Sequence, residues 1–271
     1  MRIALGIEYD GRGYAGWQHQ GHALTVQQVV EEALAKVAAH PVRVTAAGRT
    51  DAGVHATDQV VHFVPMVGRS ERAWVLGANS NLPRDVAVRW ARTVGDDFDA
   101  RRSALARSYL YLIANVGPRP ALALGRATWE RRPLVVEAMQ EAAQALVGEH
   151  DFSAFRATSC QSRSATRRLR RIAVRRVGEL IEVEVTANAF LHHMVRNMVG
   201  ALLEVGVGAQ CPAWVGELLA GRDRARGAPT APADGLYLVD VEYPARFALP
   251  RGSRPLLGAG APSPDPAGRL T

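Results

Sequence analysis

Lysine is almost missing from this chain, and Lys36 is its single example. Cysteine is nearly as scarce. Cys160 and Cys211 are too few for a disulfide framework, and no C-x-x-C pair exists for zinc or redox work. A reducing cytoplasm is therefore the expected setting. No long apolar run occurs either. The opening Met1-Arg2-Ile3-Ala4-Leu5 reads neither as a signal peptide nor as a membrane span, so no membrane partner is expected.

What the chain has in quantity is arginine. A net charge of +7 favours a polyanionic partner. A GC-rich coding sequence would also produce arginine in place of lysine, along with much Ala, Gly and Pro, so clustering carries more than the total. Clusters stand at Arg101-Arg102, Arg131-Arg132, Arg167-Arg168-Arg170-Arg171 and Arg175-Arg176. The planar guanidinium fork suits phosphates and stacks on bases. The 271 residues, 48% hydrophobic and 22% charged, are those of a soluble globular protein of one or two domains.

Hydrophobic periodicity sets out the elements. Strands are predicted over 3–9, 42–46, 59–64 and 85–91. A helix begins at Thr25, with Gln28 at the capping-box position and Val26, Val30 and Leu34 inward. A second helix covers 70–78, and 98–106 reads as a crossing between two halves. The second half predicts strands at 108–114, 170–176, 180–186 and 236–243, and helices at 135–147 and 191–203. Without a strict βαβ rhythm, this is an α+β fold with largely antiparallel sheets. The expected division is 1–105, 106–245 and a flexible tail, 246–271, rich in Pro, Gly and Ala.

Candidate sites follow from local chemistry. In Gly48-Arg49-Thr50-Asp51-Ala52-Gly53-Val54-His55-Ala56, one carboxylate stands among glycines with Arg49 two residues away. Glycine permits tight geometry and close ligand approach. An ordinary turn with a local ion pair would look the same. Gly11-Arg12-Gly13-Tyr14-Ala15-Gly16 matches G-x-G-x-x-G, but no helix opens there and no acidic residue ends a second strand, so a dinucleotide site is not supported. With Tyr14, Trp17 and Gln18 following Arg12, the loop reads better as an RNA-facing surface. His192 and His193 are adjacent on the predicted helix and lack the i, i+4 spacing of a metal pair, so no metal is expected. Arg196 shares a helix face with His192 and Gly200 and needs a partner if buried; Asp51 is a candidate. Tyr109 and Tyr111 share one strand face, where core packing and base stacking are both open.

Together these segments resemble the tRNA pseudouridine synthase A family. The resemblance runs from Tyr9-Asp10-Gly11 through Gly16-Trp17-Gln18, the Gly48–Ala56 segment and Asn79-Ser80-Asn81-Leu82-Pro83-Arg84-Asp85. It continues through Phe98-Asp99-Ala100-Arg101, Arg107-Ser108-Tyr109-Leu110-Tyr111, Gly148-Glu149-His150-Asp151-Phe152, Phe190–Gly200 and Leu236-Tyr237-Leu238. Asp99 and Ser80 depart from the usual histidine and leucine. The resemblance implies two similar α+β domains with mainly antiparallel sheets and flanking helices around a basic cleft, forming a homodimer without cofactor or metal. It also implies isomerisation of uridine to pseudouridine in the tRNA anticodon stem-loop at positions 38, 39 or 40. By motif position Asp51 is the catalytic aspartate, Arg196 its partner and Tyr109 the active-site tyrosine. Arg49 is a second cation for Asp51, and Arg12, Tyr14, Trp17, Gln18, Arg101 and Arg168 are candidate RNA contacts. The competing reading is a non-catalytic tRNA-binding chaperone using the same cleft.

Overall fold

A computed structural model describes residues 1–255. Its strands are β1 (Arg2–Tyr9), β2 (Thr45–Ala46), β3 (His55–Phe63), β4 (Val86–Val94), β5 (Ala106–Ala114), β6 (Thr128–Trp129), β7 (Gly148–Asp151), β8 (Thr166–Val177), β9 (Leu180–Ala187) and β10 (Leu236–Glu242). Its helices are α1 (Val26–Ala38), α2 (Glu71–Asn79), α3 (Val136–Gln144), α4 (Met194–Gly206) and α5 (Ala213–Gly221).

The strands form one sheet in the order β4-β1-β3-β10-β5-β9-β8-β7, with β2 on β3 and β6 on β5. Pairing is antiparallel except for β10 on β3 and β6 on β5. The mainly antiparallel α+β expectation holds, but the halves do not close separately. Strand β10, from the end of the described chain, lies between β3 and β5 and makes the two halves continuous.

Alternation divides the sheet's faces. Tyr109, Tyr111 and Ile113 of β5 pack into the large core with helix residues such as Leu34, Trp74, Met139, Met198 and Leu202. Leu110, Leu112 and Ala114 point the other way, with Tyr237 and Val239. Burying a large aliphatic side chain contributes roughly 1.5–3 kcal/mol, so the helix-covered face holds most of the stabilisation.

The opposite face is crossed by residues 249–255. Arg254 pairs with Glu182 at 2.8 Å and Glu184 at 2.6 Å, and Arg251 pairs with Asp240 at 2.9 Å. Thr57 donates to the Ser253 carbonyl, and Pro255 is buried. Residues 246–255, assigned to the loose tail by composition, are held here by arginine–carboxylate contacts that composition does not register. The rest of that predicted tail, 256–271, lies outside the described residues.

Two local expectations are corrected. Thr25 occupies the α1 cap position, but its hydroxyl makes no capping bond and is buried without a partner; Gln28 bonds Glu32 instead. The strand expected over 42–46 shortens to Thr45–Ala46, and β3 begins earlier than alternation suggested, at His55. Every residue of β3 is buried, because both sheet faces are covered there, so the polar–apolar alternation disappears.

Candidate active site

Asp51 lies in the loop between β2 and β3, and neighbours clamp that loop from several sides. The Trp17 amide donates to the Thr50 carbonyl at 3.0 Å, and the Tyr9 and Thr50 hydroxyls are 2.8 Å apart. Gln59 donates to the Gly48 carbonyl at 2.7 Å, and Arg107 to the Ala47 carbonyl at 2.9 Å. Gly16 has φ +90°, and a Cβ there would stand 2.7 Å from the Thr50 carbonyl oxygen. Only glycine combines that conformation with that approach. The glycine-rich segment 11–16 is thus the backing of the Asp51 loop.

This packing corrects the reading of Tyr14 and Trp17 as part of an RNA-facing surface. Tyr14 is 5% exposed and donates to Asp85, and Trp17 is 2% exposed in the core. Arg12 is taken up by Asp10 at 2.6 Å. Gln18 lines the cleft described below, but its amide is bonded to Gln27.

The carboxylate of Asp51 meets the start of α4. His192 Nε2 lies 3.3 Å from one carboxylate oxygen; His193 Nε2 and Arg196 Nη1 each lie 3.5 Å from the other. His193 has φ +61° and caps α4, so His192 and His193 precede the helix. Their rings turn together onto Asp51, their centroids 4.0 Å apart. Helical spacing had treated them as unable to converge, and that geometry does not apply to residues outside the helix.

Arg196 is held from behind, its Nε donating to the Ala231 carbonyl at 2.8 Å. Ala231 comes close because a Cβ at Gly200 would lie 2.1 Å from the Pro229 carbonyl oxygen, an approach only glycine allows. Arg49 does not share this role. It is exposed, and no ion pair joins it to Asp51 among the described residues.

These groups open into a cleft of about 1120 Å³. Arg49, Arg101, Arg107, Arg167 and Arg196 line it, and Asp51 supplies the only carboxylate among the lining residues. Arg168 is exposed but does not line the cleft, while its neighbour Arg167 does, because strand alternation turns the two apart. Arg107 was missed by sequence reading. Its guanidinium donates to the carbonyls of Ala47, Arg101, Ala104 and Asn188, joining the Asp51 loop to two further loops at the cleft. Its sequence signals are its place in the Arg107-Ser108-Tyr109 run and its position as a lone arginine opening the apolar strand 106–114.

Tyr109 forms part of the wall. It is 8% exposed and meets Phe190 edge-on, with ring centroids 5.0 Å apart. Burial, with Tyr9 and the Asp51 charge nearby, pushes its phenol above the ordinary range, so it is neutral at pH 7. Burial also lowers the His193 imidazole; Asp51 opposes this, and His192, Arg196 and Arg224 reinforce it. Arg196 is therefore the permanent cation on Asp51.

The donor atoms of Asp51, His192 and His193 lie within 4.8 Å of one another, close enough to share one ion. The same carboxylate already has the Arg196 guanidinium beside it, and the other cations on the cleft walls are arginines. This electrostatic setting suits an anionic ligand better than a metal.

The family model described as tRNA pseudouridine synthase matches residues 6–101 and 142–244. The chain is 59% identical to tRNA pseudouridine synthase A of Methylococcus capsulatus over 251 residues, covering 93% of each. It is 56% identical to the protein of that name from Idiomarina loihiensis, covering 92% of this chain and 96% of the relative. Among solved structures it is similar to a chain of a Cbf5-Nop10-Gar1 complex, at 13% identity and TM-score 0.36, covering 87% of this chain and 48% of that one. That last likeness is too slight to argue from.

Proposed function

This chain belongs to the tRNA pseudouridine synthase family, an isomerase family, and on that premise we propose that it converts uridine to pseudouridine in the tRNA anticodon stem-loop, at positions 38, 39 or 40, with Asp51 as its catalytic group. The observation that carries this reading is the single carboxylate held by Arg196, His192 and His193 in a cleft whose other charged lining residues are arginines.

The reaction breaks the N-glycosidic bond, turns the uracil and rejoins it through C5. Asp51 can serve by attack on C6, by attack on C1′, or by deprotonation toward a glycal. All three routes require an ionised carboxylate, and the Arg196 guanidinium lies 3.5 Å from this one. The uridine must first leave its stack, at a cost of roughly a few kcal/mol, and phosphate contacts from the cleft arginines offset it. Tyr109 supplies an uncharged aromatic wall against which the extruded uracil stacks, and it keeps water from the glycosyl intermediate.

The enzyme works on this reading as a cytoplasmic homodimer without cofactor or metal. No helix among the described residues is long and apolar enough to cross a membrane.

The test is tritium release from tRNA transcribed with uridine labelled at C5. Release by the native chain and none by Asp51→Asn, with tRNA binding retained, is the expected result. No release from either chain, with tight binding, would replace this reading with the tRNA-binding chaperone.

A further inference from the structure

A second cavity, of about 550 Å³, adjoins the cleft and shares its walls at Ser159 and His193. Thr158, Asn197, Arg224 and Thr230 also line it. Arg224 Nη2 donates to Asn197 Oδ1 and to Thr230 Oγ1, each at 3.2 Å. Asn197 is itself 3% exposed and anchored to the Phe155 carbonyl, so the guanidinium is held in place. Among the described residues no carboxylate lies within 4.0 Å of Arg224. The adjacent Asp223 turns away to cap the Ala225 amide at 2.9 Å, and Asp151 faces Arg222 instead.

A guanidinium fixed in a cavity with hydroxyl neighbours and no counter-ion is a site for an anion. The cavity lies directly behind His193, on the far side of the wall that carries the Asp51 partner. We propose that it receives a phosphodiester of the RNA strand next to the uridine held in the cleft, with Arg224 as its charged ligand and Ser159 and Thr158 as hydroxyl donors. This inference rests on the proposed RNA substrate. A nucleotide turned out of its stack carries its flanking phosphates with it, and a fixed cation one wall away holds the strand in the extruded geometry.

The test uses anticodon stem-loop RNAs in which single linkages near the target uridine are replaced by neutral methylphosphonates. Binding is measured on the native chain and on Arg224→Gln. One flanking replacement is expected to weaken native binding about tenfold, the size of one charge-assisted contact, while adding nothing to the loss already present in Arg224→Gln. The slope of log Kd against log salt should fall by about 0.7 in the variant, as for one lost phosphate contact on a single strand. Additive losses at every linkage, or an unchanged salt slope, overturn the proposal. Should Arg224→Gln fold poorly, native binding indifferent to every flanking replacement overturns it equally. Binding is read apart from turnover. Native enzyme that binds with this pattern but makes no pseudouridine would refute the proposed function and leave the phosphate site standing.

Discussion

Asp51 and Asp58 flank the start of β3 and meet opposite fates. Asp51 faces the cleft, 3.5 Å from a guanidinium and beside two imidazoles. Asp58 is 3% exposed, and one of its carboxylate oxygens is buried without a partner. Burial, reinforced by the charge of Asp240, pushes its carboxyl up to about 7. The difference lies in what the rest of the chain brings to each. Asp51 receives α4 and its preceding turn; Asp58 receives the 249–255 segment, whose nearest arginine, Arg251, is taken by Asp240. Of the two, Asp51 alone lines the cleft.

Making the same substitution at both sites gives the sharpest contrast. Asp51→Asn should reduce turnover by more than about a thousandfold, the scale for removing a catalytic nucleophile. Tritium release measures it. Retained turnover would remove Asp51 from the mechanism.

Arg196→Ala attacks the partner instead of the carboxylate. It leaves the Ala231 carbonyl without its donor and Asp51 with only the two histidines beside it, and should cost about 1–3 kcal/mol of stability and roughly a hundredfold in turnover. An unchanged melting temperature would mean that the pair contributes no stability.

Gly16→Ala works through the loop's backing. A methyl group at φ +90°, 2.7 Å from the Thr50 carbonyl, must displace the Asp51 loop. A loss of about 1–3 kcal/mol in stability and about tenfold in single-turnover rate is expected. Wild-type rates with normal stability would show that the loop tolerates the shift.

Asp58→Asn should leave turnover nearly intact and act on stability. The folded carboxyl titrates near 7 and the unfolded one near 3.8. Between those values the native state holds a proton that the unfolded chain has released, so stability falls as pH rises through that window. The amide mimics the protonated form. It should raise the melting temperature at pH 8 by several degrees, at about 3 °C per kcal/mol, and flatten the dependence between pH 3.8 and about 7. A parallel pH dependence in native and variant chains would show that Asp58 is not the group responsible.

The Gly48–Ala56 segment was legible because its meaning is local: a carboxylate among glycines after a strand. The Arg196–Asp51 pair was also within reach, since an arginine on an otherwise apolar helix face calls for a buried partner. The histidines were misjudged because helical spacing was applied to residues that precede α4. The burial of Tyr14 and Trp17 is hidden in the sequence, because an aromatic loop with arginine resembles an RNA contact when its packing partner, the Asp51 loop, lies far along the chain. A run of arginines does not reveal which way each side chain points, so the sequence does not tell Arg168 from Arg167, which lines the cleft.

The amino-acid sequence by itself determined the main helices and strands, the antiparallel character, the position of the Asp51 loop and the net positive charge. Each depends on periodicity, glycine placement or net charge, which act over a few residues or over the whole composition. Tertiary structure decided which cations face Asp51, which arginines enter the cleft and why Asp58 is isolated. Those outcomes depend on contacts such as Arg196 with Asp51, separated by 145 positions, whose geometry exists only once β10 has joined the two halves of the sheet.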